Sequence, residues 1–139
     1  MSRPLPDGWP RLSVSVFYDD AAAAIDWLCR AFGFEVRLKV EHDGRIVHSE
    51  LTYEGALVMV GQTGGRPWCR SPRGVGGCTQ AVLLQVDDVD AHYARARAAG
   101  ATIDAEPADH DYGPEYWTDR TYGAIDPEGH HWWFSTRIR

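Results

Sequence analysis

The side chains best suited to chemistry in this chain are an imidazole and a carboxylate two residues apart, His48 and Glu50. They fall in Ile46–Tyr53, a stretch typical of a β-strand, and residues two apart in a strand project from the same face. On a ligand-facing side they could form a metal pair, a general acid–base couple or a clamp on a ligand; on an outer face they would be a surface pair. Spacing assigns no third metal ligand, because neither His110 nor Glu115 can be placed beside them.

The other histidines and acids are weaker candidates for chemistry. His130 and His131 are adjacent on a predicted strand, so their side chains must point to opposite faces and cannot chelate one ion together. The run Asp109–Asp111 is an acid–base cluster by residue type, but it precedes a Tyr-Gly-Pro turn, which favours a solvated loop. His92 falls near the charged face of a predicted helix and is expected to be solvent-exposed.

Aromatic residues are abundant, with six Trp and six Tyr among 139 residues. Trp132 and Trp133 are adjacent on a predicted strand, so one should pack beneath a helix while the other faces the opposite side. Aromatic residues in or beside predicted loops could line the rim of a pocket that grips a flat organic molecule, or they could fill the core. These residues are Trp68, Tyr112, Tyr116 and Trp117.

Composition excludes several classes of protein. The 139 residues suffice for one domain, and no apolar run approaches the roughly 18 residues that a membrane-spanning helix needs. The 14 basic and 20 acidic residues give a net charge of −6, which disfavours nucleic-acid binding and mildly favours a neutral or cationic ligand. Prolines and an acid near the amino terminus stand where a secretory signal would be apolar, so we expect a cytoplasmic protein.

The first half of the chain, about residues 11–61, predicts a βαβββ module. Leu12–Phe17 alternates apolar and polar residues as a half-buried strand does, and Asp19 or Asp20 could cap the helix that follows. Apolar residues recur at helical spacing until Gly33, where the helix should end. Asp-Gly and Glu-Gly turns then separate the remaining strands as consecutive hairpins. These strands are predicted at Phe34–Val40, Ile46–Tyr53 and Ala56–Val60.

The second half, about residues 79–137, repeats this order after a connector, residues 62–78, rich in Gly, Pro and Arg. Weak identity at a constant offset supports a duplication, with Asp20 and Gly33 falling on Asp87 and Gly100. The predicted elements are a strand Ala81–Val86, a helix from about Val89 to Ala99, and strands Ala101–Ala105, Trp117–Ile125 and His131–Thr136.

Neither module can bury its sheet face with one helix, so the two should share a core. The sequence therefore predicts an α+β fold: one domain, residues 1–139, in which two tandem βαβββ modules form an open, curved mixed β-sheet with the helices outside and a cleft within.

Several segments resemble the vicinal oxygen chelate superfamily, which includes glyoxalases, bleomycin-resistance-like proteins and extradiol dioxygenases. They are the strand, Asp-Asp pair, helix and Gly-Phe of Val14–Phe34, the Val86–His92 and Ala98–Ala101 runs, and the Tyr122–His130 segment that leads into the closing hairpin. The resemblance spans about residues 11–137 and implies the glyoxalase-like fold. It does not choose a function, because this scaffold hosts isomerases, dioxygenases, transferases and binding proteins.

The resemblance also implies four metal-ligand positions, one on the first and one on the last strand of each module. The first-strand positions fall on Ser13 and Ala81, with Gln80 beside the latter, and the closing-strand glutamate position falls on Trp133. The fourth lies within Met59–Gly61. Ala and Trp offer no lone pair to a divalent metal, so we expect the chelate site of the metalloenzymes to be missing and no cofactor to be required.

Two functional hypotheses remain. The first is a metal-free binding module that holds a small organic molecule, such as an antibiotic or aromatic metabolite, in an aromatic cleft. The second is a divalent-metal-dependent lyase, isomerase or dioxygenase with its metal relocated to His48 and Glu50. The resemblance further implies a homodimer. The residues predicted to contact the ligand are Ser13, Met59, Trp68, Tyr112, Tyr116, Trp117 and Trp133.

Overall fold

Two βαβββ modules follow one another along the chain in a computed structural model that describes residues 1–139. The first module consists of β1 (Val14–Tyr18), α1 (Ala21–Phe32), β2 (Glu35–His42), β3 (Arg45–Tyr53) and β4 (Ala56–Gln62). The connector carries a short helix, α2 (Pro72–Val75). The second module consists of β5 (Ala81–Gln85), α3 (Val89–Ala98), β6 (Thr102–Asp111), β7 (Thr118–Ile125) and β8 (His131–Arg137).

Each module forms its own four-stranded sheet, and the two sheets have the same topology. The strand orders are β1-β4-β3-β2 and β5-β8-β7-β6. In each sheet the first strand pairs in parallel with the last, and the other pairs are antiparallel. Neither sheet closes, so β1 and β5 are both edge strands. The predicted α+β fold of two tandem modules with open mixed sheets is confirmed.

The two long helices begin in the same way. Asp20 caps α1 by accepting a hydrogen bond from the Ala23 amide, and Asp88 caps α3 by accepting one from the Ala91 amide, each at 3.0 Å. The second residue of each Asp-Asp pair is therefore the cap. Asp20 corresponds structurally to Asp88, one residue later than the constant offset of the sequence comparison, because Gly33 lies 13 positions after its cap and Gly100 only 12.

One hydrophobic cluster of 22 buried residues is drawn from both modules. Phe32, at the end of α1, contacts Trp132 and Phe134 of β8, with ring centroids 5.3 and 4.6 Å apart. The helices α1 and α3 also pack against each other. The two modules therefore share a core. Separately, no helix of the structure is long and apolar enough to cross a membrane.

Two sequence-based expectations about polar residues are wrong. The run Asp109–Asp111 is the end of strand β6, not a loop, because β7 pairs with it and the Arg120 guanidinium bonds to Asp109 at 2.9 Å. His92 is buried, not solvated, because its Nδ1 and Nε2 lie 2.6 Å from the Tyr122 hydroxyl and 2.9 Å from the Phe32 carbonyl oxygen. The partner at Phe32 comes from the other module, which local helical periodicity cannot reveal.

Candidate functional site

Each sheet has one face packed under its helix and one face left open. In the first sheet Val16 and Leu51 belong to the buried core, whereas their strand neighbours Ser15 and Glu50 project to the other side. The same alternation in β8 buries Trp132, at 1% exposure, and directs Trp133 to the opposite face. We call these outward sides the first and second open faces.

The first open face carries a polar cluster of His48, Glu50 and Arg37. The Nε2 atom of His48 lies 3.1 Å from Oε1 of Glu50, and Nε of Arg37 lies 3.6 Å from Oε2 of the same carboxylate. Glu50 is buried, flanked on β2 by Leu38 and on β4 by Met59. A carboxylate that already faces a guanidinium is a poor partner for a second cation, so the cluster is better suited to clamp a polar ligand group than to hold a metal ion.

The second open face carries an aromatic surface at the corresponding position. Trp133 lies between Leu83 on β5 and Gly123 on β7. A Cβ atom at position 123 would come within 3.0 Å of the Trp133 ring and 2.6 Å of Oδ1 of Asp104. Only glycine leaves room for both side chains, so Gly123 belongs to the site. Sequence reasoning missed it, because a glycine within a strand is informative only when the strand opposite is known.

His131 also belongs to the second open face. Its Nδ1 atom lies 3.2 Å from Oδ2 of Asp104 on β6. Asp104 falls in the stretch of β6 where the register with β7 shifts between Ile103 and Ala105. Such an irregularity redirects a side chain and has no clear signature in the sequence.

The side chains at the metal positions of the resemblance do not fit a metal ion. The strand register pairs Ser15 with Met59 and Leu83 with Trp133 on the two open faces. Ser13 precedes β1, and Ala81 is opposite His131. No group of three or more His, Cys, Asp or Glu residues anywhere in the structure is arranged to hold a metal ion. The donor set therefore does not match the preference of divalent metals for several imidazole or carboxylate ligands.

Three cavities adjoin one another beneath the connector, and we call them together the connector groove. The Trp133 cavity, about 310 Å³, also involves His131 and shares Cys78, Thr79 and Gln80 with the next cavity. That middle cavity, about 360 Å³, contains His130 and Arg70. The third, about 470 Å³, contains Arg45 and Arg66; Phe17 and Trp68 separate it from the middle cavity.

His130 fixes the middle of this groove. Its Nε2 atom lies 2.8 Å from the Phe17 carbonyl oxygen, which can only accept, so Nε2 is the hydrogen-bond donor. Nδ1 is buried and has no hydrogen-bond partner in the protein. This contact connects the turn histidine of the second module to the first module, since Phe17 belongs to β1.

The turn before His130 is held by a buried carboxylate, that of Asp126. It accepts hydrogen bonds from the Tyr18 hydroxyl at 2.6 Å, the Trp132 indole at 3.1 Å, and the amides of Glu128 and His130. Burial, together with the neighbouring Asp126 carboxylate, raises the pKa of Tyr18 well above its usual value, so the phenol remains a donor. This network joins β1 of the first module to the last hairpin of the second.

The structure separates the predicted ligand residues into different places. Trp133 and Trp68 lie along the connector groove, whereas Met59 lies on the first open face and Ser13 borders an apolar cavity between β4 and β5. The remaining three form a separate aromatic group at the end of the β6–β7 hairpin, where Trp117 stacks 4.5 Å from the Arg137 guanidinium. That group consists of Tyr112, Tyr116 and Trp117.

Known proteins resemble this chain over nearly its whole length. The family model of the Glyoxalase/Bleomycin resistance protein/Dioxygenase superfamily matches residues 12–134. The chain belongs to this superfamily. An uncharacterised protein of Mycobacterium bovis is 36% identical over 137 residues, covering 94% of this chain and 85% of the relative.

Solved structures superpose on most of the chain. TioX from Micromonospora sp. ML1 is 37% identical, with a TM-score of 0.74 and coverage of 93% of this chain and 99% of TioX. TnmS3, an antibiotic binding protein from Streptomyces sp. CB03234, is 20% identical with a TM-score of 0.67, covering 91% and 93% of the two chains. At that identity TnmS3 shows the shared fold alone. The match to the family model confirms the resemblance inferred from the sequence.

Proposed function

We propose that this protein binds a small planar organic molecule without the help of a metal ion, with Trp133 as the principal contact. The observation that carries the proposal is the pairing of Trp133 with Gly123 on the second open face. In the metalloenzymes that the chain resembles, this strand position supplies a carboxylate. Here it supplies a large apolar ring, which favours burial of a flat ligand surface over ligation of a cation.

The position of Trp68 supports the same function. Its indole lies edge-on to Phe17, with ring centroids 5.6 Å apart, yet 68% of the residue is exposed. An exposed ring held by a neighbour can contact a ligand with little loss of conformational freedom. Each well-buried aromatic contact would contribute about 1–3 kcal/mol to binding. A ligand that reached both tryptophans would occupy the connector groove from Trp133 to Trp68.

The relatives support a binding role of this kind. TnmS3 has the same fold and is an antibiotic binding protein. The superfamily includes bleomycin resistance proteins as well as enzymes. We therefore assign this chain a sequestering role toward an antibiotic or aromatic metabolite in preference to a catalytic one.

The competing function is a divalent-metal-dependent lyase, isomerase or dioxygenase centred on His48 and Glu50. These two side chains are only 3.1 Å apart and share a face, as that hypothesis requires. A metal ion there would lack a third protein ligand and would have to displace Arg37 from Glu50. The geometry therefore favours a clamp for a polar group of the ligand.

We also propose that the protein is a homodimer. The β2 edge of the first open face leaves Val36, Leu38 and Val40 between 41% and 46% exposed, and Leu83 of the second open face is 58% exposed. A second copy covering these surfaces would bury apolar area that a monomer leaves in water. Light scattering coupled to size-exclusion chromatography should give about twice the mass of one chain, and a monomer mass at micromolar concentration would contradict this.

The test of the binding function uses thermal shift with chelator-treated protein and a library of planar aromatic compounds and antibiotics. A ligand present at a hundredfold excess over its Kd should stabilise the protein by about 2.7 kcal/mol. Trp133→Ala should abolish the shift, whereas Trp117→Ala, outside the groove, should keep it. Ligand shifts that require added metal, or that are the same in Trp133→Ala, would overturn the proposal.

A further inference from the structure

The third cavity of the connector groove is basic although the chain as a whole has a net charge of −6. Arg45 and Arg66 line it and no Asp or Glu does, while the third basic residue, His42, lies 3.3 Å from the Asp43 carboxylate. The middle cavity likewise contains Arg70 and no carboxylate. The net charge of the chain favours a neutral or cationic ligand. Within this cavity, however, the nearby arginines determine which ligand charge is favoured, because more distant surface charges are screened.

The arginines of this cavity are not used in ion pairs. Arg45 donates to the carbonyl oxygen of Thr63 at 2.9 Å, which positions its guanidinium without neutralising it. No carboxylate lies within ion-pair distance of Arg66. Five of the other arginines pair with carboxylates within 4.0 Å, and the rest do not. The paired ones are Arg37, Arg73, Arg120, Arg137 and Arg139.

An aromatic wall stands beside these charges. Phe17 and Trp68 meet edge to face, and Phe17 lies so close over Gly61 that a Cβ there would be 3.0 Å from the Phe17 ring. Gly61 and Gly65 both line the cavity. Glycine at position 61 therefore lets Phe17 hold the exposed indole of Trp68 at the cavity edge. A ring surface next to a guanidinium that lacks a counter-ion matches a flat molecule that carries a negative charge.

We propose that this cavity binds the carboxylate of a planar aromatic acid, with the ring against Trp68 and the carboxylate at Arg45 and Arg66. The proposal rests on the proposed binding function, takes Trp68 and not Trp133 as the ring contact in this cavity, and names the chemical class of the ligand. Guanidinium groups bind carboxylates through paired N–H donors, so this contact discriminates an acid from a neutral molecule of the same shape. The adjoining middle cavity, with Arg70 and the unpartnered Nδ1 of His130, has room for the rest of a larger ligand.

The test is isothermal titration calorimetry of the chelator-treated full chain with three probes of one shape: 2-naphthoate, 2-naphthamide and 2-naphthylmethylammonium. We expect 2-naphthoate to bind at least about tenfold more tightly than either of the others at low salt, and added salt to weaken it selectively. The double variant R45Q/R66Q should bring the acid-to-amide ratio close to one. R45K/R66K, which keeps both charges, should preserve a preference, and Arg11→Gln, outside the cavity, should leave the ratio unchanged.

Two results would overturn the assignment. One is equal binding of 2-naphthoate and 2-naphthamide by the unaltered protein; the other is a preference for the acid that survives in R45Q/R66Q. Failure of all three probes to bind at millimolar concentration would also overturn it. None of these results decides the broader binding function, because a thermal shift with other planar compounds that depends on Trp133 would still support that function.

Discussion

The two modules share a topology but end their last hairpins in different ways. In the first module the β3–β4 turn consists of Glu54 and Gly55, both with positive φ, and the Glu54 side chain is exposed and makes no hydrogen bond. In the second module the corresponding turn contains the buried Asp126 carboxylate and the buried His130 ring. Both of these bond to β1 of the first module. The second hairpin therefore joins the modules, whereas the first only reverses the chain.

The open faces differ at corresponding positions too. Where the first sheet places Met59 opposite Glu50, the second places Trp133 opposite Gly123. One face therefore presents a paired carboxylate and the other a broad ring. Duplicated backbones keep their strand register while single residues decide what each face can bind, which is why fold alone does not establish function.

The largest expected loss of stability comes from breaking the Asp126 hydrogen-bond network between the modules. Asp126→Ala would leave the Tyr18 hydroxyl and the Trp132 indole N–H buried without an acceptor. We expect the free energy of unfolding to fall by about 3–5 kcal/mol, measured by urea denaturation. Glu54→Ala, at the corresponding turn of the first module, should change it by less than about 0.5 kcal/mol. Similar losses in both variants would mean that the two turns are equivalent.

A smaller loss of stability is expected when a side chain is added at Gly123 on the second open face. Gly123→Ala forces the Trp133 ring and the Asp104 carboxylate away from positions they now occupy. Overpacking of this kind should cost about 1–3 kcal/mol of stability, and displacement of Trp133 should weaken ligand binding in the thermal-shift assay. Gly74→Ala, where the nearest atom to the added Cβ is 3.9 Å away, is the matched control. If Gly123→Ala binds ligand normally, the Trp133 position is not needed for binding.

Local patterns were sufficient to predict most of the fold. Alternation in Leu12–Phe17, the end of α1 at Gly33 and the turn chemistry of the hairpins are all set by residues close in sequence. Adjacency alone predicted that Trp132 and Trp133 occupy opposite sides of the strand, and the family resemblance indicated which side Trp133 takes. The joining of β3 and β4 by a Glu-Gly turn was likewise predictable from two residues.

What the sequence did not predict depends on contacts between distant segments. The burial of His92 requires the Phe32 carbonyl of the other module, and β6 extends to Asp111 only because β7 pairs with a polar stretch. The connector groove depends on the path of the chain between the modules, since it brings Trp68 against Phe17. The predicted site residues consequently fall into several places, and the sequence alone could not group them.

A smaller, pH-dependent change in stability is expected from His92, which also distinguishes the second module from the first. In α1 the position equivalent to His92 is Ala24, because the amide of each residue donates to the backbone carbonyl of the Asp that caps its helix. Both positions are buried, so only the second helix buries a titratable group at this position. Burial lowers the pKa of His92, against a backbone hydrogen bond to Phe32 that raises it. Below about pH 6.5 the unfolded chain therefore binds more protons at this residue than the folded chain does, and stability should fall as the pH drops from 6.5 toward the lowered folded pKa.

The measurement is the free energy of unfolding between pH 7.5 and pH 5, compared with His92→Gln. The variant should be less stable at every pH but should lose less stability on acidification, because the buried imidazole is gone. His42→Gln, at an exposed position, should keep the slope of the unaltered protein. Parallel pH profiles for the unaltered protein and His92→Gln would show that His92 does not set the acid sensitivity.

The smallest expected effect is the response of the first open face to metal ions. Because Arg37 already faces Glu50 and only His48 stands beside it, added zinc, nickel or manganese should not raise the melting temperature, and none should remain bound in stoichiometric amount after dialysis. Arg37→Ala removes the competing positive charge and makes the test stricter. Even then two donors should hold the metal only weakly. The prediction is contradicted if the unaltered protein retains stoichiometric metal and His48→Ala loses it. In that case the first open face would bind a metal ion and the second would bind the ring of a ligand.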